Sequence, residues 1–100
     1  PSAALLHARE LVARDPAQWL LHGIAAYDAG ELDEARRAFS VERAPQERDV
    51  RRLFLALCSA REGDLPGAAT QLETLDLAQF DSLAWLVAPH VAEARKLLAR

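Results

Sequence analysis

Three histidines and one cysteine are the residues of this 100-residue chain best suited to metal or nucleophilic chemistry. His7, His22 and His90 stand far apart, and Cys58 has no second cysteine with which to share a metal or a disulfide. A zinc site needs three or four ligands at short recurring spacings, and a nucleophile needs a base placed beside it. Neither pattern is present, and no glycine-rich run suits a phosphate group. His22 lies among apolar residues and reads as a half-buried packing histidine, and Cys58 as a small buried hydrophobe. The sequence therefore argues for a protein that is not an enzyme, with no cofactor and no metal.

Charge is the other chemistry to weigh. Arg36, Arg37, Arg43, Arg48, Arg51 and Arg52 cluster in sequence, interleaved with Glu34, Glu42, Glu47 and Asp49. Such mixed charge reads as a solvated helix face with local ion pairs. The alternative is a basic patch docking an acidic partner. The net charge of −3 and the lack of interleaved aromatics speak against nucleic acid. No apolar run approaches the ~20 residues that span a bilayer, so this segment is expected not to insert into a membrane.

The elements that position these residues are all helical. Hydrophobic residues make up 51% and charged residues 27%, the balance of a folded domain with one modest core. Alanine and leucine dominate, which favours helix, and no stretch alternates like a strand. The first segment, "AALLHARELVAR", carries Leu5, Ala8, Leu11 and Val12 on one face and ends at Asp15-Pro16. A second helix from about Pro16 to Ala29 aligns Trp19, Gly23 and Ala26, with Leu20, Ile24 and Tyr27 beside them, and Gly30 caps it. A third, from Leu32 or Asp33 to Arg43, turns Ala35 and Phe39 inward until Pro45 stops it. The fourth, about Arg48 to Glu62, carries Leu53, Leu57 and Ala60 and ends at Gly63. The fifth begins at an Asp64 N-cap with Pro66 in its first turn and runs to about Leu75. The stretch "DLAQFD" reads as a loop, with Asp81 capping a sixth helix that Pro89 kinks or ends.

One spacing organises the whole. "YDAGELDEARRAF" and "AREGDLPGAATQL" are two copies of one pattern, matching Gly30 with Gly63, Leu32 with Leu65, Ala35 with Ala68 and Phe39 with Leu72. Trp85 and Leu86 follow Trp19 and Leu20 at twice that interval, although Pro89 then falls where Gly23 sits. A unit of two helices cannot bury both its faces alone, so units at a fixed period are expected to stack.

On these residues the chain resembles the tetratricopeptide repeats. The best copy is "WLLHGIAAYDAGELDEARRAFSVERAP", in which Trp19, Gly23, Gly30, Ala35, Phe39 and Pro45 fit the family pattern and Tyr27 lies one place off. The second copy keeps Ala56, Glu62 to Asp64, Ala68, Leu72 and Leu75. His22, Glu42 and Arg52 depart from the pattern. The resemblance implies an all-α fold, a short right-handed α-solenoid of antiparallel helix pairs with about six or seven helices. It would form a single domain over residues 1–100. Residues 1–15 are then the second helix of a preceding unit, 16–45 and 48–77 two units, and 81–100 a terminal cap.

The resemblance also implies a function. Helices of the first position line a concave face that grips a partner protein's helix or peptide. That face would comprise Leu20, Ile24, Tyr27 and Asp28 with Leu53, Leu57, Ala60 and Arg61. A single lysine, Lys96, and no asparagine do not fit the family's carboxylate-gripping mode, so an amphipathic helix or apolar peptide is the expected ligand. The terminal helix could instead fill the face from the same chain. Leu20→Glu with Leu53→Glu is expected to abolish binding and leave the fold intact. The leading expectation is an adaptor or scaffold in a bacterial assembly, bacterial origin being read from alanine and arginine richness, with the cytoplasm as compartment. The alternatives are self-association, giving a homo-oligomer, and a regulatory domain of a larger protein. A chain that starts with Pro-Ser and contains no methionine is expected to be an excised segment, whose membrane anchor could lie outside it.

Overall fold

The computed structural model describes residues 3–6, 9, 19–40 and 48–99, and every regular element among them is helical. Residues 3–6 and 9 are helical. Then come α1 (Trp19–Asp28), α2 (Leu32–Ser40), α3 (Arg48–Arg61), α4 (Leu65–Glu73), a 3-10 helix (Leu77–Leu83) and α5 (Ala84–Leu98). The expected starts at Pro16 and stops at Arg43 and Pro45 lie outside the described residues. Contacts divide the chain into two compact units, Pro1–Ala44 and Pro45–Arg100.

The first unit is built by α1 lying back against α2. Trp19, Ile24, Ala26 and Tyr27 of α1 are buried with Ala35 and Phe39 of α2, and Leu5 joins them. Trp19 meets Phe39 edge-on, ring centroids 5.8 Å apart. At Gly23 the Phe39 ring of α2 lies against the α1 backbone. A Cβ there would stand 2.6 Å from the Phe39 Cζ, so only a residue without a side chain lets the ring seat beneath Trp19.

The second unit pairs α3 with α4 and lays α5 against both. Leu53, Phe54, Ala56, Leu57 and Cys58 of α3 are fully buried, as are Ala68 and Leu72 of α4 and Val87 and Ala94 of α5. His90 of α5 packs on Phe54 with centroids 4.8 Å apart.

The corners after α1 and α3 are the same structure made twice. Gly30 and Gly63 adopt φ of +80° and +100°, the left-handed conformation that glycine enters without a Cβ penalty. Around the first, the Ala29 N–H donates to Ala25, Gly30 to Tyr27, Glu31 to Ala26 and Ala35 to Glu31. Around the second, Glu62 donates to Cys58, Gly63 to Ala60, Asp64 to Ser59 and Ala68 to Asp64. Every donor and every acceptor is shifted by the one interval that carries Gly30 onto Gly63. The six-to-one and five-to-two bonds make each corner a Schellman cap, which satisfies the carbonyls left open at the end of a helix. A Cβ at either glycine meets nothing within 4 Å, so alanine there is opposed by backbone conformation alone. Gly30→Ala and Gly63→Ala are each expected to cost about 1–2 kcal/mol. The two losses should be similar in chemical denaturation, since the two corners share their hydrogen bonds and their open surroundings, and in the double variant they should add within about 0.5 kcal/mol. A large inequality would show that the corners are not equivalent.

Past α4 the chain departs from the expected loop. Asp76, not Asp81, is the capping residue; its carboxylate accepts from the Ala78 N–H at 3.1 Å and starts the 3-10 helix. Leu77 and Phe80 are buried and anchor that segment. Asp81 sits inside it, and the residue before α5 is Leu83, which makes no side-chain cap. The Asp64 cap of α4 is present, its side chain accepting from Gly67 at 3.0 Å. Pro89 lies within α5, which continues through it; its ring is on the solvent side.

The echo of Trp19 at Trp85 is a likeness of sequence without a likeness of packing. Trp19 is 2% exposed and Trp85 78%. The inward stripe of α5 is Val87, His90, Val91 and Ala94, spaced as one helical face. Trp85, Pro89 and Ala92, which follow Trp19, Gly23 and Ala26 at twice the repeat interval, all point to solvent.

Candidate functional site

In the first unit a polar cluster joins three helical segments. Glu34 on α2 receives the Arg9 guanidinium in a two-pronged ion pair, with Arg9 Nε 2.8 Å from Oε2 and Nη2 against Oε1. The His22 Nε2 on α1 lies 2.5 Å from the same Oε2. The side chains of His22 and Glu34 are only 18% and 17% exposed. The Arg9 hydrogen bonds, together with that of His22, hold the Glu34 carboxyl at about 2, down from 4.5, against a smaller opposing effect of burial. Glu34 is thus held ionised and fully engaged by its partners. The arrangement ties α1, α2 and the segment at residue 9 together.

A pH dependence follows. The Glu34 carboxyl is depressed in the fold, so its contribution to stability is present above about pH 4.5 and is lost as pH falls toward 2. Glu34→Gln should flatten the stability profile across that window, read from urea melts at successive pH values. A profile that keeps its slope in the variant would refute the role given to Glu34.

The residues expected to form a partner-gripping face divide by accessibility. Tyr27, Leu53 and Leu57 are fully buried and Ile24 nearly so; their side chains are core and offer no surface. Leu20 and Ala60 are half-buried, while Asp28 and Arg61 are exposed. Arg61 is engaged within the second unit: its Nε and Nη2 donate to the two carboxylate oxygens of Glu93 on α5, each at 3.2 Å. Leu21, not among the expected residues, is an exposed leucine beside Leu20.

The described arginines of the arginine-rich stretch belong to two units, Arg36 and Arg37 to the first and Arg48, Arg51 and Arg52 to the second. Arg36 and Arg37 border an open depression on α2 with Asp33 and Ser40. Arg52 borders a cleft of about 250 Å³ with Leu55, Gln71 and Thr74, between α3 and α4. That volume falls below the range of about 300–1,000 Å³ usual for small-molecule sites. Among the described residues no three His, Cys, Asp or Glu side chains gather as a metal site. None of the helices described is long and apolar enough to cross a membrane. No protein-family model, curated protein or solved structure shows significant similarity to this chain.

The Arg9–Glu34–His22 cluster was not foreseen from sequence. The available signal was His22 at a packing position on an apolar helix, which requires a polar partner if it is to be buried. Glu34 and Arg9 are both remote from His22 along the chain, and only the fold selects those two among many charged residues.

Proposed function

We propose that the chain is a non-catalytic helical-repeat module that binds a partner protein. It would be of the kind its resemblance to tetratricopeptide repeats implies, a short right-handed solenoid of antiparallel helix pairs. The observation that carries this reading is the twice-made corner, in which the same four hydrogen bonds recur around Gly30 and around Gly63. Duplicated helix pairs are an architecture for presenting surface.

The binding surface proposed is the accessible part of the α1 face. Leu20 and Leu21 supply apolar area and Asp28 an acidic rim. An amphipathic helix with a basic residue beside its apolar stripe would fit it. The test is selection from a displayed library of amphipathic helical peptides, followed by affinity measurement on variants. Leu20→Glu should weaken the selected peptides by at least about tenfold, the scale of a central interface residue. It should leave the circular-dichroism spectrum unchanged. Leu65→Glu, at an exposed leucine of the second unit, is the control and should bind normally. Failure to select any peptide, or equal binding by the folded Leu20→Glu variant, would overturn the proposed surface.

A further inference from the structure

The first three turns of α5 carry an apolar row on the solvent side. Trp85, Ala88, Pro89 and Ala92 are all exposed and recur at helical spacing, with Lys96 continuing the row one turn on. Trp85 is the most exposed large hydrophobic residue among those described, at 78%. Exposed apolar rows on a folded helix mark interaction sites.

The repeat register indicates what kind of element fits there. In α1 the equivalent residues, Trp19, Gly23 and Ala26, are buried in a unit where α2 turns back against α1. The same face of α5 looks outward. Its complement is therefore a helix lying antiparallel to α5, with small residues at the crossing and apolar residues on either side.

We propose that the occupant is α5 of a second copy of this chain, paired about a two-fold axis near Pro89 and Ala92. The charge pattern selects a second copy over an unrelated helix. Asp81 lies exposed about one turn before Trp85, while Arg95 and Lys96 lie exposed at the other end. Antiparallel pairing sets the acidic end of each copy beside the basic end of the other, and it opposes the two helix dipoles favourably. Ala88 and Ala92 allow close approach. Lys96 of the second copy falls opposite Trp85, where an ammonium suits the face of an indole. It also meets the Trp85 carbonyl, to which Pro89 has no N–H to donate. One helix face from each copy makes a small interface, so the dimer belongs to the weak, concentration-dependent class. The inference uses the repeat register and does not depend on the peptide-binding surface of α1.

The experiment is sedimentation equilibrium of the whole chain over a concentration series to about 1 mM, with tryptophan emission recorded alongside. The native chain should pass from monomer to dimer, and its emission should shift to the blue as Trp85 leaves water. Trp85→Ala should raise the dimer dissociation constant at least about tenfold, as loss of an interfacial tryptophan does. Being at an exposed position, it should not change the helical signal. Asp81→Lys and Arg95→Glu should each weaken the dimer, and the double variant should restore it, because Lys96 keeps its place against Trp85 and the swap leaves each copy complementary to itself. A chain that stays monomeric to about 1 mM overturns the proposal. So does a dimer that Trp85→Ala leaves unchanged, or a double variant no better than the single ones.

Discussion

Trp19→Ala is expected to destabilise the first unit by about 3–5 kcal/mol, the range for truncating a large buried aromatic. Trp19 is almost fully buried, and its ring caps the Phe39 ring that lies across Gly23. Removing the indole loses its own burial and the edge-to-face contact, and it frees the residue that Gly23 accommodates. A coupled result follows. In the native background Gly23→Ala should cost about 1–3 kcal/mol by overpacking, since the new Cβ and the Phe39 ring cannot share the space. In the Trp19→Ala background Phe39 can retreat, so the same substitution should cost measurably less. A double-mutant cycle in guanidinium reads that coupling, expected at about 0.5–3 kcal/mol for residues in contact. A Trp19→Ala loss well below that range, or strict additivity of the two changes, would show that this corner of the core is not packed as described.

Leu53→Glu is expected to unfold the second unit. Leu53 is fully buried on α3, whose apolar face packs α4 and α5. The substitution loses the burial of a leucine and places a carboxylate in an apolar interior. The combined cost should exceed ~4 kcal/mol, most of the stability of a small domain. Circular dichroism should show lost helix, and Leu53→Met, which keeps volume and polarity, should stay folded within about 1.5 kcal/mol of the native chain. A well-folded Leu53→Glu protein would contradict the burial. The expectation that Leu20→Glu with Leu53→Glu removes binding and spares the fold therefore fails on its second member. Only Leu20 has surface to lose, which is why the binding test uses it alone.

The two corners were legible because their information is local. A glycine that must take a positive φ, followed by an acidic residue and a helix former, specifies a cap within a few residues. Repetition of that pattern, first at Gly30 and again at Gly63, specifies it twice. The pairing of Gly23 with Phe39 was not legible: sequence placed Gly23 in a stripe with Trp19 and Ala26 and turned Phe39 inward, and only the fold sets that ring against the glycine. The 3-10 helix was not legible, because Asp76 and Asp81 are equally good caps in sequence. Burial of Leu77 and Phe80 decides between them.

Sequence by itself determined the helical character, the two corners and their period, since these rest on short-range backbone geometry and side-chain spacing. Tertiary structure decided that Val87 and His90 join Val91 and Ala94 on the buried side of α5 while Trp85 stays in solvent, because only the face that α3 and α4 reach is covered. It decided that Tyr27, Leu53 and Leu57 are core. It also chose Glu34 for Arg9 and His22, and Glu93 for Arg61. Ion pairs between distant segments are selected by proximity in three dimensions, and charge spacing along a chain does not encode that proximity.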